Sequence, residues 1–125
     1  MAVITLLILS TATRALCQTD GKRDFGELCA QCHGANGTGE GRTLTEAKPP
    51  DLTLLSRKNG GKFPLDHVCR IVDGREMTES HRRAAMPFWG QALQRPGQQN
   101  TPESNAEVKA RILDIVEYLR AIQKK

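Results

Sequence analysis

The run Cys29-Ala30-Gln31-Cys32-His33 constrains this chain more than any other feature of it. Two thiols three positions apart share one turn of a helix, and an imidazole follows at once. Four readings of such a patch compete. A structural zinc site needs a second Cys or His pair at short spacing, and Cys69 alone does not supply one. A thioredoxin-like redox pair needs a βαβ setting, whereas no strand-like alternation of useful length occurs here. A disulfide between Cys29 and Cys32 forms only if nothing else takes the thiols. The fourth reading depends on where the protein matures.

Residues 2–12 are almost wholly apolar or small, and Arg14 and Ala15 follow. The stretch has the length of a secretory h-region and is too short for a transmembrane helix of about 20 apolar residues. Its n-region lacks Lys and Arg, a departure from the usual pattern, and a buried N-terminal helix is the weaker alternative. Cleavage fits after Ala15 or Cys17, while Leu16 and Arg14 argue against Cys17 as a lipidated residue. The expectation is a signal peptide over 1–17, one domain over 18–125, and a periplasmic protein with no membrane anchor. Export also supplies the compartment in which two thiols add to the vinyl groups of one haem. Cys29 and Cys32 are therefore expected to hold a single haem c through thioethers, with His33 aimed at the iron.

Charge and composition agree. The formal charge of +4 falls by one when Arg14 is removed, and the two propionates of a haem would offset most of the rest. Basic residues are scattered, with no run of five, which excludes a nucleic-acid binder on charge. Aromatics make up 4% of the chain. That is too few to fill the middle of a small domain alone.

The periodicity predicts an all-α fold of short helices and long loops. Asp20 is expected to cap a helix over 22–32 with Phe25, Leu28 and Cys32 on one face. The run from Gly34 to Gly41 is a loop, and without a Gly-Lys-Ser/Thr ending it is no phosphate cradle. Pro49-Pro50-Asp51 bars helix until Leu52. A short helix over 53–58 ends at Gly60-Gly61, and the next starts at Pro64 and closes at Gly74. Residues 75–89 carry no helical stripe and read as loop, and 94–102 reads as a polar linker. Val108, Ile112, Ile115, Leu119 and Ile122 form one stripe of a final helix. Two starts compete for it: Thr101 with Pro102 behind it, or a capping box from Ser104 to Glu107.

The iron needs a sixth ligand, and Met86, His81, His67 and Met77 are candidates. Met86 ranks first because Pro87 stiffens the loop that carries it. His81, beside Arg82 and Arg83, is expected to be solvated, and His67 to lie half-exposed on a helix. Arg75, His81, Arg82 and Arg83 are expected to form a basic docking rim, weighed against plain solvation.

These residues together resemble the class I monohaem c-type cytochromes, over nearly the whole chain after residue 17. The family places a Gly and an aromatic eight and four residues before the first haem Cys, and Gly21 and Phe25 stand there. That Gly lets the first and last helices cross, and the matching last helix carries an aromatic beside a Leu, as Tyr118-Leu119 does. Pro50-Asp51-Leu52 resembles a unit whose Pro carbonyl accepts a hydrogen bond from the axial imidazole. Met86-Pro87 with Trp89-Gly90 resembles the axial-Met loop of bacterial members. Cys69 and the polar insertion before the last helix depart from the pattern. The resemblance implies a monomeric carrier of single electrons with His33 and Met86 on the iron, Pro50 and Leu52 at the cofactor, and no enzyme activity. It also implies redox partners such as a dehydrogenase, a bc-type complex or a terminal oxidase or reductase. A dedicated subunit of a dehydrogenase or reductase is the alternative, with a haem peroxidase or gas sensor behind it.

Overall fold

The computed structural model describes residues 20–42, 48–84, 86–97 and 101–125; the expected export segment over 1–17 lies outside them. The last helix organises the rest. Helix α7 spans Pro102–Ala121 and starts at the first of the two expected caps. The Thr101 hydroxyl accepts from the Ser104 N–H at 3.2 Å, and the Ser104 hydroxyl accepts from the Thr101 N–H at 3.1 Å. The box therefore closes on Ser104 instead of running from Ser104 to Glu107. Val108, Ile112, Ile115, Val116 and Leu119 are buried along it.

Helix α1, over 20–28, crosses α7 at Gly21. A Cβ there would sit 2.0 Å from the Asp114 carbonyl oxygen, so only glycine lets the backbones approach this closely. One turn on, the rings of Phe25 and Tyr118 meet at 5.3 Å between centroids, tilted by 49°. Residue 20 is already helical, so Asp20 is not the cap expected of it; it pairs with Arg23 at 3.2 Å.

Beside this crossing Asp24 is buried, and Arg111 of α7 grips its carboxylate in a fork, with Nη2 3.2 Å from Oδ1. The Arg111 hydrogen bond, with help from the charges of Arg111 and Arg23, outweighs burial and holds the Asp24 carboxyl below the usual carboxylate range. A lowered native pKa gives stability that is present above the unfolded carboxylate value and lost as pH falls through the native one. Asp24→Asn should cost about 2 kcal/mol at neutral pH, the scale of a charged hydrogen bond, and less below the native value. Acid titration of unfolding in both proteins checks this: equal slopes at low pH would remove Asp24 from the account.

Leu52–Leu54 is a 3₁₀ turn that runs into α3 (Leu55–Lys58), as the prolines before it and Gly60-Gly61 after it predict. Helix α4 covers Leu65–Asp73, with Pro64 at its cap instead of its first position. Gly74 closes it at φ 91°, donating to the Arg70 and Ile71 carbonyls. Two short helices depart from the loop expected over 75–89: α5 (Glu79–Ala84) lies within it and α6 (Trp89–Ala92) starts at its last residue, whereas 94–97, in the expected linker, carries no helix. The loop expectation over 75–89 fails because α5 has no apolar stripe and starts on local chemistry. Thr78 receives the His81 N–H on its hydroxyl at 3.3 Å and the Arg82 N–H on its carbonyl at 3.1 Å. Helices α4, α6 and α7 pack on one another. Among the described residues there is no strand, and the fold is all-α as expected. Its buried apolar core among them is eight side chains: Phe25, Val68, Val72, Val108, Ile112, Ile115, Val116 and Leu119.

Candidate haem site

The Cys29–His33 run continues α1 through one turn. The Cys29 N–H donates to the Phe25 carbonyl at 2.9 Å, and the His33 N–H donates to the Cys29 carbonyl, also at 2.9 Å. Helix α2 (Ala30–His33) then stops at Gly34, whose φ of 80° turns the chain away. Both haem thiols and the imidazole therefore stand on one helical path whose other end is locked against α7.

The glycine loop doubles back over this path. Gly39 N–H donates to the His33 carbonyl at 2.8 Å and Arg42 N–H to the Gln31 carbonyl at 2.6 Å. A Cβ on Gly39 would lie 2.4 Å from the Pro49 carbonyl oxygen, so a larger residue would push Pro49-Pro50 off the loop. Leu52 N–H reaches the Gly37 carbonyl at 2.7 Å. These bonds bring the Pro50 carbonyl against the His33 ring, where it supports the basicity of the imidazole.

The C-terminus holds the same segment from the far side. Gln123 donates from Nε2 to the Leu52 carbonyl at 2.8 Å and accepts the Ser56 N–H on Oε1, also at 2.8 Å. Lys124 N–H donates to the Thr53 carbonyl at 2.8 Å. Gln123 has no signature in the sequence, since nothing in its neighbours marks a residue just past a helix end as a clamp. Leu52 is half-buried against the core.

His33 is buried, at 8% exposure, and its Nδ1 has no full hydrogen bond even with the Pro50 carbonyl alongside. Burial first, then the nearby His81 ring, lower its basicity against the support of Pro50. The imidazole is therefore neutral at pH 7, the form that binds a metal. Cys29 is pushed up to about 12, chiefly by burial and then by the charges of Asp24 and Cys32. A redox-active Cys-x-x-Cys works in the opposite direction, with a lowered thiol pKa, so that reading loses its chemical basis.

The remaining candidates separate. His67 is half-exposed as expected, and its Nδ1 is 3.0 Å from Glu76 Oε1. Met77 and Met86 are half-buried. Met86 is tied by its N–H to the His81 carbonyl at 3.3 Å. The expectation that His81 is solvated fails: its Nδ1 is buried, and desolvation lowers its basicity. The residue drawn close to His33 is thus His81, through the inward face of a helix that carries no apolar pattern to announce it.

Among the described residues no group of three or more His, Cys, Asp or Glu could hold a metal ion. Free thiols at Cys29 and Cys32, a buried neutral imidazole and a thin apolar core do fit a haem, which brings four of its own nitrogens to the iron. Cys29 and Cys32 would carry the thioethers and His33 one axial bond. The iron supplies one-electron chemistry, and the chain supplies its burial and the orientation of the imidazole.

A covalent haem held in an all-α shell of short helices and loops defines a c-type cytochrome, a haem-c electron-transfer protein. The family model described as Cytochrome c matches residues 18–123, and the chain belongs to that family. No individual curated protein and no solved structure matched it. No helix among the described residues is long and apolar enough to cross a membrane.

Proposed function

We propose that the protein is a periplasmic carrier of single electrons whose haem iron is held between His33 and Met86. The observation that carries this reading is the setting of His33. A buried imidazole beside two attachable thiols, its orientation fixed by the glycine loop and the Pro50 carbonyl, is a ligand held ready for iron. Support for Met86 is its position on a proline-stiffened turn tethered to the end of α5. A thioether opposite an imidazole favours the ferrous state more than a second imidazole does, and so raises the potential. With both axial positions filled, no open site remains for oxygen or peroxide, which favours carriage over catalysis. Residues 1–17 would direct export and leave, and the partners would be a dehydrogenase, a bc-type complex or a terminal oxidase or reductase.

The oxidised protein should show the weak near-infrared sulfur-to-iron band, and Met86→Ala should abolish it. Met86→His should give a bis-imidazole site of lower potential. Loss of the band in Met77→Ala with survival in Met86→Ala would move the ligand to Met77.

A further inference from the structure

The ring of His81 has no role in the fold or in the proposed His33/Met86 pair. Its Nδ1 is buried with no hydrogen-bond partner. A polar atom left unpaired out of water costs about 1–3 kcal/mol, and native folds keep few such atoms without a use for them. The backbone of His81 is well satisfied, its N–H on the Thr78 hydroxyl and its carbonyl under the Met86 N–H. The residue is thus anchored while its ring nitrogen is left open. His33 is buried too, with the Pro50 carbonyl beside its ring, and the His81 ring lies near enough to lower its basicity. With Nδ1 beside Pro50, His33 would offer its other ring nitrogen to iron, and the open nitrogen of the nearby His81 would find a partner on the same iron.

Met86 sits five residues beyond His81 and hangs from its carbonyl. Both far-side donors therefore ride on one short segment, His81 within α5 and Met86 two residues beyond its end. A shift that withdraws the sulfur leaves His81 anchored by its own N–H on the Thr78 hydroxyl. Imidazole nitrogen also suits iron well, and in the neutral form it needs no proton removed from the binding atom.

We propose that His81 is a reserve axial ligand, which takes the sixth position when Met86 leaves the iron and keeps that position closed. The proposal rests on the His33/Met86 reading above. Its consequence is that a carrier which loses its thioether bond does not acquire an open site for carbon monoxide or peroxide.

The test compares the holoprotein with Met86→Ala, His81→Ala and the double variant in carbon monoxide titrations and electron paramagnetic resonance. Met86→Ala should lose the sulfur band yet stay six-coordinate and low-spin, binding carbon monoxide at least about tenfold more weakly than the double variant. His81→Ala alone should keep the band. Pulsed resonance on ferric Met86→Ala carrying ¹⁵N-histidine should find two coordinated imidazoles, a readout that stands even if the double variant does not fold. If Met86→Ala is five-coordinate with one coupled imidazole, His81 merely lines the pocket or meets a propionate, and the proposal falls while Met86 remains the ligand. Survival of the sulfur band in Met86→Ala would instead overturn the Met86 reading, and the reserve role with it.

Discussion

Replacing both Cys29 and Cys32 with alanine should yield a chain that releases all its haem to acid–acetone and is largely unfolded without it. Wild-type protein should keep its haem through the same extraction, and either single variant should hold it by one thioether in a less stable holoprotein. The physical reason lies in how little else holds the centre. Eight buried apolar side chains among the described residues are few for a domain of about 100 residues, whose folding is marginal on area alone. Around them Leu28, Cys29, Leu52 and Leu55 are only partly buried and pack onto the core from the side of the site. Without haem that side loses the surface it closes on, and the imidazole that the glycine loop orients loses its metal. In small metal-dependent domains the binding energy is folding energy. Circular dichroism of the double variant, read beside the extraction, decides the matter. A well-folded, cooperatively melting apoprotein would show that the helices need no prosthetic group, and free release of haem from wild type would end the covalent assignment.

The parts of this fold that were legible in the sequence are those fixed by a period or by an obligatory residue. The stripe from Val108 to Leu119 marked the helix that everything else leans on, and the family resemblance at Gly21 and Phe25 located its crossing with α1. Pro50 and the glycines before it announced a loop, and the loop does fold back onto His33. What stayed hidden is the stretch from Arg75 to Trp89. Its helices are one to two turns long, α5 starting on the Thr78 hydroxyl and α6 without a side-chain cap, with no apolar face to set a period, so side-chain direction along it cannot be read from pattern. The error over His81 follows from that. It also alters the expected basic rim: His81 turns inward, Arg75 pairs with Asp73, and Arg82 pairs with Glu79 at 3.2 Å. The side chain of Arg83 lies outside the described residues. A docking surface built on bare positive charge thus loses much of its support, since paired exposed arginines contribute little net field.

Gly21→Ala should be among the most destabilising single-methyl changes in the protein, and Gly26→Ala, on the same helix, should be neutral or stabilising. A Cβ at residue 21 would lie 2.0 Å from the Asp114 carbonyl oxygen and 2.6 Å from its carbon. Both are backbone atoms of α7, so no rotamer change can relieve the clash and the helices must move apart. Overpacking that forces a backbone shift costs about 1–3 kcal/mol, and the upper end applies here because Phe25–Tyr118 and Asp24–Arg111 lie next along the same crossing. At roughly 4–8 °C per kcal/mol for a domain of this size, Tm should fall by about 10–20 °C. At Gly26 an added Cβ meets nothing within 4 Å. The position is helical and exposed, so alanine should gain about 0.5–1 kcal/mol by restricting the unfolded chain and favouring helix. Thermal unfolding of the two holoproteins, with the haem spectrum recorded alongside, measures both. The sulfur-to-iron band should persist in each at 25 °C, because the crossing lies behind the site and not in it. Equal stability of the two variants would mean that α1 and α7 do not cross at residue 21, and with that contact would go the anchor that fixes the Cys29–His33 path.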